Sequence, residues 1–187
     1  MQKLYNNGYV VKGLFKNEYT SFLDNYRGIE SFVSWPLDDN DDDLISKELQ
    51  EEAWNKWFAY QDILEVVPER DYLFRYINHC HELGIDTMIL QIETPNNSQI
   101  ALDNLKVIEV LGFDCIAGVR LSYLNLEPRY FKEHFLGLYQ KLNSNRLFNA
   151  IGETKDFIDA YKRLLDEGEN LECVDNPVPA RLSVVEL

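Results

Sequence analysis

The sequence predicts a single domain of the α/β or α+β class, with a mixed β-sheet and helices packed on it. Three observations support this fold class: an apolar run at 86–93, helical spacing of apolar residues after Ser98, and alternation of apolar residues from Phe113 to Tyr123. Short apolar runs and period-two alternation are typical of strands, whereas spacings of three and four are typical of helices. Strand, helix and strand in this order predict a βαβ unit over 86–123.

The helix of this unit is predicted between two punctuating residues. Ser98 can cap its start and Gly112 can end it. Its inward stripe has four members, Ala101, Leu105, Ile108 and Leu111. The strand that follows Gly112 is predicted to run from 113 to 122.

The N-terminal half predicts a strand at 9–15, a helix at 17–26 and a second strand at 29–35 that ends at Pro36. Residues 38–43 are expected to form an exposed loop, because five closely spaced carboxylates need water or cations around them. A helix is predicted to begin near Leu44, with Leu49 on its inward stripe. A further helix is predicted over 69–83, with Gly84 as its end.

Two helices and a strand complete the chain. One helix is predicted to start at Pro128, because proline suits a first helical turn, and the other to follow Thr154 and end at Gly168. Residues around Leu182 and Val184 predict a final strand. The prolines at 177 and 179 favour an edge position for this strand, since proline cannot donate a ladder hydrogen bond.

Composition limits the functional classes. The 187 residues fit one domain, 1–187, and 32 acidic against 18 basic residues give a net charge of −14. Such a surface repels phosphate backbones and anionic lipids, so we expect no direct nucleic-acid or membrane partner and favour a basic protein partner. The chain shows no signal-like apolar segment, which predicts a cytoplasmic protein. The three cysteines are widely spaced and are expected to be reduced and buried.

Three motifs have compositions that occur in metal or catalytic sites. The aspartate run fails as a calcium-binding EF-hand, because a loop starting at Asp38 places Asp43 at the glycine position and Leu49 at the closing glutamate position. His79 and His81 lie about 200° apart around a helix, so they cannot share one ion. Glu153-Thr154-Lys155 has nuclease-like spacing but falls at a helix start. We therefore predict no metal, no cofactor and no catalytic residue.

The acidic stretch with its aromatic residues is the strongest candidate site. Trp and Tyr are enriched among the residues that dominate binding energy, and a patch of one charge speeds association with an oppositely charged partner. The predicted partner-binding residues are Asp38, Asp39, Asp41, Asp42, Asp43, Glu48, Glu51, Trp54 and Phe58. The competing interpretation is that these acids are a solvated face and that Trp54 and Phe58 lie at the margin of the core.

In size, acidity and lack of a catalytic motif, the chain resembles the immunity proteins of bacterial toxin systems. This resemblance implies a non-enzymatic protein that neutralises a basic toxin domain, often a nuclease. The alternative is a small-molecule or metal-dependent enzyme that uses carboxylates near strand ends, such as Glu93 or Asp114. We favour the binding protein and leave the enzyme open.

Overall fold

The structure, a computed structural model, describes residues 2–14, 47–56, 67–84, 86–96, 102–117, 121–122, 128–145, 147–168 and 177–187. Five strands and four helices lie within these ranges: β1 (Tyr5–Leu14), α1 (Lys47–Lys56), α2 (Arg70–Glu82), β2 (Asp86–Thr94), β3 (Lys106–Ala117), β4 (Leu121–Ser122), α3 (Pro128–Tyr139), α4 (Ile151–Asp166) and β5 (Val178–Glu186). The predicted helix at 17–26, strand at 29–35 and loop at 38–43 lie outside the described residues.

The five strands form one sheet in the order β1-β2-β5-β3-β4. This confirms the predicted class, in which one sheet carries packed helices. All four described strand pairs are antiparallel, so the expectation of a mixed sheet is wrong for this part of the chain. β5 lies between β2 and β3, which means that the two strands of the predicted βαβ unit are not neighbours.

The predicted helix of the βαβ unit is also wrong over residues 106–111, because β3 begins at Lys106. Val107, Ile108 and Val110 are β-branched and therefore suit a pleated strand better than a helix. Two irregularities in the β3–β5 register, between Val107 and Glu109 and between Val110 and Gly112, interrupt the period-two pattern that would have identified this strand.

The last strand is central rather than at an edge. β5 pairs with β3 along Val178–Glu186 but with β2 only along Arg181–Val185. Pro179 therefore lies where the described residues place a neighbour on one side only, and its missing N–H costs no ladder hydrogen bond. Pro179 therefore indicates a strand edge only for the first residues of β5, whereas the rest of this strand lies between β2 and β3.

Four other predictions are confirmed with adjusted boundaries. The predicted strand at 9–15 is β1, and the helices predicted at 69–83 and from Pro128 are α2 and α3. Gly84 follows α2 with φ of 75°, a conformation that favours glycine. The helix predicted after Thr154 starts earlier, at Ile151, because the Glu153 carboxylate accepts hydrogen bonds from the amides of Asn149 and Ala150. Cys80 and Cys115 are buried and form no disulfide bond within the described residues.

Side chains alternate between the two faces of the sheet, and each face has its own core. The α4 face carries Leu90, Ile92 and Leu182, which pack with Phe157 and Tyr161 of α4. The α2 face carries a second set of sheet residues, Tyr9, Ile89 and Val185, which pack with α2 and with Leu49 of α1. The candidate docking residues of α1 therefore lie on the α2 face.

Candidate docking surface

α1 places two of the predicted docking carboxylates on its outer side. Leu49 points inward and is 7 % exposed, whereas Glu48 and Glu51 are both exposed. Residues three apart are neighbours on a helix surface, so these two carboxylates form one acidic patch. We call this patch, Glu48 and Glu51, the outer face of α1.

Polar contacts fix α1 against α2. The buried Tyr72 hydroxyl donates to the carbonyl oxygen of Leu49 at 2.9 Å. Arg75 donates to both carboxylate oxygens of Glu52, from Nη1 to Oε2 and from Nη2 to Oε1, each at 2.8 Å. Bidentate pairs of this kind restrict orientation as well as distance. The outer face of α1 is therefore presented by a helix whose position is set by named bonds.

The Glu52 carboxylate is committed to this internal contact. The hydrogen bonds from Arg75 hold the pKa of Glu52 at about 2, against an ordinary value of 4.5, although partial burial acts in the opposite direction. Lys56 contacts Glu52 as well, from Nζ to Oε1 at 2.8 Å. Burial raises the pKa of Tyr72, so its hydroxyl stays protonated and remains a donor. Glu52 therefore holds the two helices together and is not a free charge for a partner.

Glu48 and Glu51 differ from Glu52 in this respect. Within the described ranges, neither carboxylate takes part in an ion pair, whereas Lys56 and Arg75 are both engaged by Glu52. Their negative charge is therefore available to a group outside the described residues. An exposed charge of this kind acts mainly on the rate at which a charged partner arrives.

The structure places some of the predicted site residues and not others. Glu48 and Glu51 lie together on α1, and Trp54 lies in the same helix. Asp38, Asp39, Asp41, Asp42, Asp43 and Phe58 lie outside the described residues, so their part in the surface stays a prediction.

Sequence reasoning missed Glu52 and Arg75 as the clamp between the helices. Lys56 lies four residues after Glu52, a spacing that could have indicated a pair on one helix. The contact with Arg75 spans 23 residues of sequence and depends on how α1 packs on α2. Spacing alone could not have shown it.

The carboxylates of the enzyme alternative are engaged in structural contacts. Glu93 is 8 % exposed, and Arg181 donates to both of its oxygens, from Nε to Oε2 at 2.6 Å and from Nη2 to Oε1 at 2.7 Å. This contact raises the pKa of Arg181, so the guanidinium stays charged. Asp114 is fully buried, and its Oδ1 accepts the amide of Cys115 at 2.7 Å. Glu93 is therefore committed to Arg181, and the described partner of the Asp114 carboxylate is a backbone amide.

The described residues include no group of three or more His, Cys, Asp or Glu side chains placed to hold a metal ion. His79 Nδ1 lies 4.0 Å from Glu82 Oε2, which agrees with the prediction that these two residues share one face of α2. Among the helices of the described ranges, none combines the length and the apolar character needed to cross a membrane.

Comparisons of the chain with protein-family models, with curated proteins and with solved structures found no match.

Proposed function

We propose that this protein is a non-enzymatic binding protein that docks a basic protein partner through the outer face of α1. The observation that carries the proposal is the contrast among three carboxylates of one helix. Glu52 is neutralised by Arg75 and Lys56, whereas Glu48 and Glu51 face outward without an ion pair among the described residues. Glu48 lies in the first turn of α1, where a carboxylate also stabilises the helix N-terminus, whereas Glu51 lies beyond this turn.

The surrounding sequence strengthens this charge. Residues 38–52 contain eight carboxylates and one lysine, and the whole chain carries −14. A surface with one sign of charge attracts an oppositely charged protein over a distance and repels nucleic acid. The acidic run from Asp38 to Asp43 extends the docking surface in this proposal, and Trp54 and Phe58 supply its aromatic anchors.

The partner class follows from the resemblance to immunity proteins. A basic toxin domain, such as a nuclease, must carry positive charge where it holds phosphate groups. An acidic protein that covers this region would compete with the nucleic acid and block the toxin. We therefore propose neutralisation of a basic toxin as the biological role, with no cofactor and no catalysis by this chain.

Affinity capture from the native cell tests this proposal with a matched pair of variants. The test variant is E48K/E51K, and the control is D156K/D159K. The control pair has the same spacing and the same charge change, and it is exposed on α4, on the other side of the sheet. Tagged wild-type protein should retain a basic protein in stoichiometric amount.

We expect E48K/E51K to retain much less of this partner and D156K/D159K to retain nearly as much as the wild type. Equal loss in both variants would show that only total charge matters. A retained partner that is acidic, or full retention by E48K/E51K, would contradict the proposal. Circular dichroism of both variants checks that the fold is unchanged.

A further inference from the structure

Part of the outer edge of β3 faces no other strand in the described structure. β5 pairs along one edge of β3, and on the other edge β4 pairs only with Ile116 and Ala117. The segment 143–148 closes the edge near Gly112, because Phe148 pairs with Phe113 and the Asn143 side chain donates to the Leu111 carbonyl oxygen. Residues 106–110 have no described strand on this side.

The open segment is rich in exposed β-branched residues. Val107, Ile108 and Val110 are 44 %, 56 % and 53 % exposed. An open strand edge presents backbone donors and acceptors in the pattern that another extended strand would fill. Its natural occupant is therefore a strand of polypeptide, and its apolar side chains would be covered by that strand.

The register of β3 shows that this segment is complementary to itself. Lys106 pairs with Glu186 and Glu109 pairs with Val184, so Lys106 and Glu109 lie on the same face of the sheet, with Ile108 as the extra residue of the bulge. A second antiparallel copy with Val107 opposite Val107 would place each Lys106 opposite the Glu109 of the other copy.

We infer that two copies of this chain associate through the β3 edges in this register. The pairing extends the sheet across a two-fold axis, joins valine to valine on one face and forms two Lys106–Glu109 ion pairs on the other. Both members of each pair are exposed, and the ion pair that Lys106 forms among the described residues is with the exposed Glu186 carboxylate, at 3.2 Å. Replacing the Lys106–Glu186 contact by a Lys106–Glu109 contact therefore costs little free energy.

Opposite charges within one short segment favour a second copy as the occupant. A strand with charges of one sign would repel its own copy, whereas Lys106 and Glu109 cancel locally and become complementary after the two-fold rotation. The net charge of −14 on each copy opposes association. The short open segment also limits the paired length, so the dimer should be weak and should form only at high protein concentration.

Sedimentation velocity over a wide concentration range tests this dimer with a charge exchange. The proteins compared are the wild type, K106E, E109K and the double variant K106E/E109K, at about 0.15 M salt, where the Debye length is about 8 Å. Each single variant converts both ion pairs into repulsive pairs. The double variant restores them with reversed polarity.

We expect the wild type to show a concentration-dependent monomer–dimer equilibrium. Each single variant should lower the association constant about tenfold, and the double variant should return it to within about threefold of the wild type. Thermal unfolding of each variant identifies any loss of fold. A wild type that is monomeric throughout, single variants that associate normally, or a double variant as weak as the single variants would overturn the inference.

Discussion

The two faces of the sheet are built by different means. On the α4 face, Phe157 is fully buried and contacts three other rings of the described residues, with centroid distances of 4.9 Å to Phe135, 5.9 Å to Tyr161 and 6.1 Å to Phe148. On the α2 face, the apolar core is joined by specific polar contacts. They include the hydroxyls of Tyr9 and Tyr72 and the Glu52–Arg75 pair.

This difference separates what stabilises the protein from what positions its candidate site. Apolar packing is strong and insensitive to pH, and it tolerates small changes of orientation. Hydrogen bonds and ion pairs are individually weaker but fix distance and direction. The α4 face therefore contributes more stability, whereas the α2 face holds α1 and its outer carboxylates in a defined place.

The largest effect is expected from Phe157→Ala. This change leaves a cavity among the rings of the α4 face and should lower the free energy of unfolding by about 3 to 5 kcal/mol. Denaturant unfolding measures the loss. Phe74→Ala is the matched control, because Phe74 is 56 % exposed on α2 and its truncation should cost about 0.5 kcal/mol or less. Similar losses of unfolding free energy in both variants would show that the ring packing of the α4 face is not a main source of stability.

Tyr9→Phe should have a smaller effect on the α2 face. The Tyr9 hydroxyl donates to the carbonyl oxygen of Asp103 at 2.5 Å and accepts from the Leu105 amide at 3.1 Å and from Asn6 Nδ2 at 2.9 Å. Its removal leaves a buried amide without this acceptor, so we expect a loss of about 2 kcal/mol in unfolding experiments.

Tyr5→Phe provides the control for Tyr9→Phe. Tyr5 lies on the same strand, and the described residues give its hydroxyl no hydrogen bond. Its change should move stability by less than about 0.5 kcal/mol. If neither substitution changes the free energy of unfolding, the polar contacts of the α2 face do not determine its structure.

Glu52→Gln should have the smallest effect, and the effect should depend on pH. The folded-state pKa of Glu52 is about 2, below the ordinary 4.5, so ionisation stabilises the fold above about pH 4.5 and this contribution disappears as pH falls towards 2. Because Arg75 is 43 % exposed, solvent screening limits the contribution to about 0.5 to 1 kcal/mol.

The stability difference between wild type and E52Q should therefore be present at neutral pH and vanish in acid. Glu51→Gln serves as the control, because Glu51 is exposed, lies beyond the first turn of α1 and forms no ion pair among the described residues. The free energy of unfolding of this control variant should be nearly the same as that of the wild type at neutral and at acidic pH. A difference for E52Q that does not change with pH would contradict the clamp.

The regularity of the packing decides which parts of the fold could be predicted from sequence. α2 and α4 were found because Leu73, Tyr76, Ile77 and Cys80, and likewise Phe157 and Tyr161, repeat at helical spacing along one buried stripe of each helix. β3 was misread because two register irregularities interrupt its alternation and because residues 106–110 are all exposed, so that no buried stripe marks the strand. Local patterns are reliable only where the packing is regular.

Gly112 shows the same limit at one residue. It was read as the end of a helix, but it lies within β3 with φ of 145°, and an added Cβ would lie 2.7 Å from the carbonyl oxygen of Phe148. Glycine is required there by the close approach of segment 143–148, a contact between residues far apart in the sequence. The Glu52–Arg75 clamp was missed for the same reason.

The central claim is that the outer face of α1 attracts a basic partner, and the association rate with the captured partner tests it most directly. At about 0.05 M salt, E48K/E51K should slow association about tenfold, and most of this effect should vanish at about 0.5 M salt. The dissociation rate should change little, and D156K/D159K should associate at nearly the wild-type rate. An association rate that E48K/E51K leaves unchanged, or that both double variants slow equally, would contradict the account.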